Sequence, residues 1–185
     1  MQVKLLADAM LGSTARKLRA FGYDTAYFRE GDDSSLVELA QSEDRVLLTA
    51  DRALLARAKA RGVRAVLVDE PTEGRRMEQV RDAMDDLGLT GGRGGSRCSS
   101  CNGPLEKLDR KEAFGRVPDP VARRHRLFYR CVDCEKIYWK GGHWKKLRSL
   151  GRRLDSKPSG TVTRGRKGRS LAGKGGSRSP RSRQG

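Results

Sequence analysis

Four cysteines form two Cys-x-x-Cys pairs, Cys98 with Cys101 and Cys131 with Cys134, and 29 residues separate the pairs. Each turn offers two thiolates to one tetrahedral ion, so the two turns together provide a complete four-thiolate ligand set for Zn²⁺. One pair alone could be a redox motif, but two pairs in a small basic region favour zinc. Because four cysteines fill the coordination shell, the predicted zinc is structural and not catalytic.

Aspartates follow three predicted strands in the first half of the chain: Asp8 follows the first, Asp33 with its neighbour Asp32 the second, and Asp51 the third. The carboxyl ends of parallel strands meet at one edge of a sheet, so these acids fall on the same edge. Carboxylates that cluster are stable mainly around a cation, and hard oxygen ligands suit Mg²⁺ or Mn²⁺. Such an ion could activate water and neutralise a phosphate, so we predict that the three acids are catalytic. The alternative is that Asp33 and Asp51 are only helix N-caps.

The elements that must position these acids alternate between strand and helix. Apolar runs predict strands at 2–7, 23–28, 45–49 and 63–68. Apolar residues at helical spacing predict helices at 13–21, 35–41, 52–61 and 75–87, the second opened by a capping box of Ser35 and Glu38. The alternation predicts an α/β fold in which helices cover a parallel sheet.

Charge divides the chain into three parts. The 185 residues carry 40 Lys and Arg against 23 Asp and Glu, a net charge of +17. Residues 1–95 have a net charge of −1, residues 96–150 of +8 and residues 151–185 of +10. A glycine-rich run at 91–95 is typical of a linker. We therefore predict an α/β domain at 1–90, a zinc ribbon at 96–150 and a disordered basic tail at 151–185.

The positive charge indicates a polyanionic partner, and nucleic acid is the expected class, since phosphate attraction alone does not distinguish RNA from DNA. Aromatic and basic side chains surround the second cysteine pair, as in surfaces that stack bases and pair phosphates. Two arginines of the first predicted helix could neutralise phosphate as well. The predicted RNA contacts are Arg16, Arg19, Arg124, Arg126, Trp144, Lys145 and Lys146. With no long apolar segment and no signal-peptide layout, we expect a cytoplasmic protein that does not bind membranes.

Several motifs in a fixed order resemble the Mut7-C RNase family, a PIN-like domain followed by a zinc ribbon. They are ADAMLGSTARKLRAFGYDT at 7–25, DDSSLVELAQSEDRVLLTADRAL at 32–54, SRCSSCNGPL at 96–105, VPDPV at 117–121 and FYRCVDCEKIYWKGGHW at 128–144. The resemblance implies a PIN-type fold and a metal-dependent ribonuclease. By position, Asp8, Asp33 and Asp51 match the family's acids, and the four cysteines match its ribbon ligands. Ala50 stands where the family commonly has a basic residue.

Two other interpretations remain open from the sequence alone. The chain could be a non-catalytic RNA-binding protein, RNA-processing or ribosome-associated, whose PIN-like half is a scaffold, since all the excess positive charge lies outside the acidic half. A receiver-like α/β domain would also place an aspartate at a strand end, but it lacks a module of four cysteines. The sequence carries no signal for oligomeric state.

Overall fold

The computed structural model describes residues 3–29, 31–89, 95–142 and 144–155. A short 3₁₀ helix, Ala9–Leu11, follows the first strand. The strands are β1 Lys4–Ala7, β2 Asp24–Tyr27, β3 Val46–Thr49, β4 Ala65–Leu67, β5 Leu105–Leu108, β6 Phe128–Cys131 and β7 Ile137–Trp139. The helices are α1 Gly12–Ala20, α2 Asp33–Ser42, α3 Arg52–Ala60, α4 Glu73–Asp86, α5 Arg110–Ala113, α6 Asp119–Arg124 and α7 Trp144–Asp155.

The N-terminal unit is a four-stranded parallel sheet in the order β2-β1-β3-β4, with helices on both faces. Side chains of the central strands alternate between two cores because successive residues of a strand face opposite sides. Leu5 and Leu48 pack with residues of α1 and α4, whereas Leu6 and Leu47 pack with residues of α2 and α3. This arrangement confirms the predicted α/β fold with a parallel sheet and flanking helices.

Two local details of the predicted helices are wrong. Helix α2 begins two residues earlier than predicted, because the Asp32 carboxylate accepts the backbone N–H of Ser35 (2.7 Å) and is the N-cap. The predicted capping box of Ser35 and Glu38 is therefore not formed. Helix α4 spans Glu73–Asp86 where 75–87 was predicted, so Leu87 is its C-cap and is 40% exposed.

The second unit is an antiparallel sheet in the order β5-β6-β7, with the short helices α5 and α6 between β5 and β6. Its small core is centred on Phe128, which is fully buried beside Leu108, Ala113 and Ala122. A core of this size stabilises little by itself. Contacts with the N-terminal unit add to this core, and a metal on the four cysteines would add further folding free energy.

Helix α7 crosses the boundary predicted at residue 150, and the prediction that disorder begins at 151 is wrong for residues 151–155. The helix packs against α4 and places Leu154 in the core of the N-terminal unit. Gly151 is buried where a Cβ would lie 3.0 Å from the Phe21 ring, so a larger residue here would require the ring or the helix to shift. Residues 151–155 are helical, and not disordered as predicted, because Leu150 and Leu154 pack against apolar residues of the N-terminal unit. The rest of the predicted tail, 156–185, and residues 91–94 of the predicted linker lie outside the described residues.

The two units also meet at the edge strand β2. Asn102, in the turn after the first cysteine pair, accepts the backbone N–H of Thr25 (3.0 Å) and donates to Asp24 (2.9 Å). Asp24 forms further ion pairs with Arg45 (2.8 Å) and Arg97 (3.4 Å). The cysteine-bearing turn thus covers an otherwise open sheet edge and joins it to the second unit.

We expect Asp24→Asn to destabilise the protein at neutral pH by ~2 kcal/mol, because it removes a carboxylate whose side chain is only 16% exposed. Burial raises the pKa of Asp24, but hydrogen bonds from Arg45 and Asn102 and the positive charges of Arg45 and Arg97 outweigh burial and lower it below the usual range. A lowered pKa stabilises the folded state above the unfolded value near 3.9, and this contribution is lost as the pH falls through the folded value.

Urea unfolding at a series of pH values measures this effect at equal zinc loading. The difference in free energy of unfolding between wild type and Asp24→Asn should be largest near neutrality and should shrink below about pH 4. Asp44→Asn is the matched control, because Asp44 pairs with Arg64 at the surface, where ion pairs contribute little. A difference that grew on acidification would contradict the assignment.

Candidate active site and metal centre

Asp8 lies directly beyond β1 at the carboxyl edge of the sheet and is only 5% exposed. Its N–H donates to the carbonyl oxygen of Leu48 (3.1 Å), and its Oδ1 accepts the N–H of Met10 (2.9 Å), which caps the 3₁₀ helix. Helix α1 then starts at Gly12, where a Cβ would lie 2.8 Å from the hydroxyl oxygen of Tyr27. The chain around Asp8 is therefore held tightly on both sides.

Thr49 connects Asp8 to the third predicted acid, Asp51. Its buried hydroxyl donates to Oδ2 of Asp8 and accepts the N–H of Asp51 (2.9 Å). The N–H of Ala50 also donates to Oδ2 of Asp8 (3.2 Å). A single hydroxyl thus fixes the ends of β1 and β3 relative to each other, which makes Thr49 a positioning residue. Thr49 was not among the predicted site residues, although its place two residues before Asp51, at the end of an apolar strand, is a local signal.

Asp51 is exposed and is the N-cap of α3. Its Oδ1 accepts the N–H groups of Ala53 (2.6 Å) and Leu54 (3.2 Å). The N-cap interpretation is therefore observed for this residue, but it uses only one of the two carboxylate oxygens. Oδ2 of Asp51 accepts no hydrogen bond from the described residues, so this oxygen is available to a ligand.

Asp33 lies on the first turn of α2, where its Oδ2 accepts from Arg57 (3.0 Å). It is not the N-cap of that helix, since Asp32 takes this role. Within the described ranges, the only set of three or more potential ligand side chains whose donor atoms all lie within 4.8 Å of one another is the four cysteines. The structure therefore links Asp8 to Asp51 through Thr49, but it does not gather all three acids into one such cluster.

Two further acids on the same edge were not predicted from the sequence, because only the ends of the first three strands were considered. Asp69 follows β4 and pairs with Arg52 (2.8 Å). Glu73 begins α4 and accepts from the Ser13 hydroxyl and from Lys17 (3.2 Å) at the start of α1. Burial raises the pKa of Glu73, but these donors outweigh burial and lower it. The strand-end rule, applied to the fourth strand, would have found Asp69.

The four cysteines form a compact group at the start of the second unit. The Sγ atoms of Cys98 and Cys134 are 3.5 Å apart, and those of Cys101 and Cys131 are 3.4 Å apart. Zn–S bonds of about 2.3 Å in a tetrahedron would place the sulfurs about 3.8 Å apart. These separations are too long for disulfides and close to those of a metal site. The cluster can therefore hold a metal such as zinc.

Neighbouring groups shift the thiol pKa values of this cluster in opposite directions. Burial raises the pKa of Cys98, but hydrogen bonds from the Tyr138 hydroxyl and from the N–H groups of Cys101 and Ser100 outweigh burial and lower it to about 6. The pKa of Cys101 is raised to about 12 by burial and by the adjacent thiols. Gly103 follows the first turn, where a Cβ would collide with the Asp133 carboxylate and lie 3.0 Å from Sγ of Cys131.

The family model described as Mut7-C RNAse domain matches residues 3–150 of this chain. The chain belongs to the Mut7-C RNAse domain family. This membership indicates a nuclease-like function with RNA as the substrate. No curated protein and no solved structure gives a match.

The predicted RNA contacts of this Mut7-C chain differ in their accessibility. Four of them are exposed, namely Arg16, Arg124, Arg126 and Lys146. The side chains of Trp144 and Lys145 lie outside the described part of the chain.

None of the described helices is long and apolar enough to cross a bilayer.

The structure corrects the predicted role of Arg19, because its side chain is buried and its guanidinium already donates hydrogen bonds within the protein. It donates to the carbonyl oxygens of Thr25 (2.7 Å), Ser99 (3.2 Å) and Ser100 (2.9 Å). A phosphate cannot reach this group while the two units remain in contact. Arg19 therefore holds the first cysteine turn of this Mut7-C chain against α1 and β2.

Proposed function

We propose that the protein is a metal-dependent ribonuclease that hydrolyses RNA phosphodiester bonds at the carboxyl edge of its parallel sheet. The observation that carries the proposal is the Asp8–Thr49–Asp51 arrangement in a chain of the Mut7-C RNAse domain family. It places two carboxylates at the ends of adjacent central strands. Asp33 is the third proposed acid, and its ion pair with Arg57 would have to open before it could take part.

The donor atoms at this edge fit Mg²⁺ or Mn²⁺. Both ions prefer carboxylate oxygens, and Mg²⁺ commonly binds through one or two carboxylates while keeping several waters. Asp51 offers its Oδ2, and Asp8 keeps a second lone-pair site on Oδ1 beyond the bond from Met10. A divalent ion held by these residues would supply an activated water and positive charge for the phosphate.

The second unit would serve to hold RNA. In this proposal a structural Zn²⁺ on Cys98, Cys101, Cys131 and Cys134 keeps the ribbon folded. The exposed cations of the ribbon and the +10 charge of residues 151–185 would then attract the phosphate backbone. This division of labour matches the charge distribution, since residues 1–95 have a net charge of −1.

The decisive experiment uses the zinc-loaded full chain and end-labelled single-stranded RNA. We expect cleavage when Mg²⁺ or Mn²⁺ is added, little or no cleavage without an added divalent ion, and weaker activity as salt rises because substrate binding is electrostatic. Product lengths on a denaturing gel give the measurement. RNA binding without cleavage under any divalent ion would reject the nuclease and favour the alternative below.

The alternative is a non-catalytic RNA-binding protein, RNA-processing or ribosome-associated, with the PIN-like half as a scaffold. It has one specific observation in its favour. The Asp8 carboxylate already accepts three hydrogen bonds, from Met10, Thr49 and Ala50, which together give it a structural role. In this alternative the divalent ion has no effect on RNA.

A further inference from the structure

A groove runs between α1, the ribbon strands β6 and β7, and α7. It consists of two adjoining cavities of about 560 and 550 Å³, which share Lys17, Tyr138, Trp139 and Leu147 as lining residues. Each cavity has the volume of a small-ligand site. The groove is therefore large enough to take a nucleotide in either half.

Aromatic side chains form one wall of the groove. Tyr129 and Tyr138 are directly opposite each other in the β6–β7 register and share the face of the sheet that points away from Phe128 and the ribbon core. Trp139 pairs with Phe128 in this register, so it belongs to the other face of the sheet, but it lies at the end of β7, is 37% exposed and lines both cavities. Flat, partly exposed rings at the surface of a cleft are the surfaces on which nucleic-acid bases stack.

Cations form the rim. Arg16 and Lys17 come from α1, Lys136 and Lys140 from the ribbon, and Lys146 from α7. No aspartate or glutamate is found among the described residues that line either cavity. Charge complementarity therefore favours a polyanion over the chain's own C-terminal segment, which has a net charge of +10.

We propose that this groove binds an unpaired stretch of RNA, with bases stacked on Tyr129, Tyr138 or Trp139 and phosphates paired with the rim cations. The proposal rests on the proposed function and adds to it a substrate class, single-stranded RNA. In a duplex the bases are stacked on each other and cannot reach rings inside a cleft, so the groove discriminates against paired RNA.

The groove leads towards the proposed catalytic edge. Lys17 lines the groove and also pairs with Glu73 (3.2 Å), which accepts from Ser13 at the start of α1. At a rise of about 1.5 Å per residue, the stretch of α1 from Ser13 to Ala20 is only about 10 Å long. The groove therefore lies within about 10 Å, along α1, of the start of the helix that follows Asp8 in the chain.

The test measures binding of fluorescent oligouridylate of about 12 nucleotides, and of an RNA duplex of equal length, to the zinc-loaded full chain without added Mg²⁺ or Mn²⁺. The groove variants are Trp139→Ala and the double variant Arg16→Gln/Lys146→Gln. Their matched controls are Phe114→Ala, an exposed aromatic of the ribbon, and Lys59→Gln/Lys111→Gln, two exposed cations elsewhere. Trp139→Phe keeps a ring, and zinc content verifies that each variant is folded.

We expect each groove variant to weaken single-strand binding about tenfold and the controls to change it less than about twofold. Trp139→Phe should restore most of the loss, and binding of the duplex should be weaker than that of the single strand. Wild-type affinity in both groove variants, or tighter binding of the duplex, would overturn the proposal. Because no Mg²⁺ or Mn²⁺ is added, this binding measurement does not depend on cleavage. A protein without nuclease activity can therefore be distinguished from one whose groove does not bind RNA.

Discussion

Asp51→Asn is expected to lower Mg²⁺- or Mn²⁺-dependent RNA cleavage by on the order of 100-fold or more while leaving the fold intact. Asparagine caps helices as well as aspartate does, and its oxygen can keep the bonds from Ala53 and Leu54. What the substitution removes is the negative charge and the Oδ2 acceptor that no described residue uses. Initial cleavage rates at saturating RNA and thermal unfolding midpoints measure the two effects separately.

Two further variants make the comparison sharper. Asp44→Asn removes the same charge from an exposed position before β3, far from the carboxyl edge, and should leave the cleavage rate unchanged. Asp33→Asn should have a smaller effect than Asp51→Asn, because Asp33 is engaged by Arg57. Wild-type cleavage by Asp51→Asn would remove Asp51 from the proposed site.

The effect of Asp8→Asn is harder to interpret, because the Asp8 carboxylate is nearly buried and its hydrogen bonds also stabilise the local structure. The asparagine amide would face the N–H of Ala50 and leave a donor unsatisfied, which costs about 1–3 kcal/mol. The double variant with Asp51→Asn should abolish cleavage and still bind RNA, since the groove and the basic segments are unaltered. Loss of binding along with cleavage would indicate unfolding and would not support a catalytic role.

Loss of the metal at the cysteine cluster is expected to have the second large effect, and Cys131→Ser tests it. Structural zinc sites in small domains contribute on the order of 10 kcal/mol to folding. Cys131 is fully buried with its Sγ 3.4 Å from that of Cys101, so its replacement should abolish tight zinc binding and unfold the ribbon. Zinc content and near-ultraviolet circular dichroism measure both changes.

Loss of the metal should also destabilise the N-terminal unit, and more strongly in α1 and β2 than at the opposite edge of the sheet. Arg19 and Asn102 connect the first cysteine turn to α1 and β2, so amide hydrogen exchange should rise in those two elements. It should rise less in α3 and β4, because β4 is the opposite edge of the sheet. Val132→Ser, an exposed position inside the same Cys-x-x-Cys pair, is the control that should retain zinc. Unchanged exchange in α1 and β2 of a zinc-free Cys131→Ser protein would contradict this coupling.

The alternation of strands and helices was predictable because three of the N-terminal strands are short apolar runs and residues 23–28 are rich in aromatic residues that favour strands. The cysteine cluster was predictable because Cys-x-x-Cys spacing is local and each turn supplies half of the ligand set. Helix α7 was not, since its amphipathic pattern consists of Leu147, Leu150 and Leu154 among cations in a segment that resembles a solvated tail. Its stability comes from Phe21 and α4, which are distant from it in the chain.

The site shows the same division between local and long-range information. That Asp51 could cap a helix was predictable from the residues around it, whereas the Thr49 hydroxyl between Asp8 and Asp51 depends on the pairing of β1 with β3. Arg19 is a sharper case, because an arginine on a helix has the same local pattern whether it faces solvent or a neighbouring unit. Only the packing of the cysteine turn on β2 decides that it is buried.

Helix α7 also determines when the N-terminal unit can finish folding during synthesis. The strands and α4 leave the ribosome first, yet the core that they form receives Leu154 only near the end of the described chain. A nascent chain that stops short of Leu154 leaves the apolar surface beside Phe21 and α4 uncovered, and such surfaces promote aggregation. Final closure of the N-terminal unit therefore waits until α7 has been synthesised, after the whole ribbon, although the acidic edge lies far upstream in the chain.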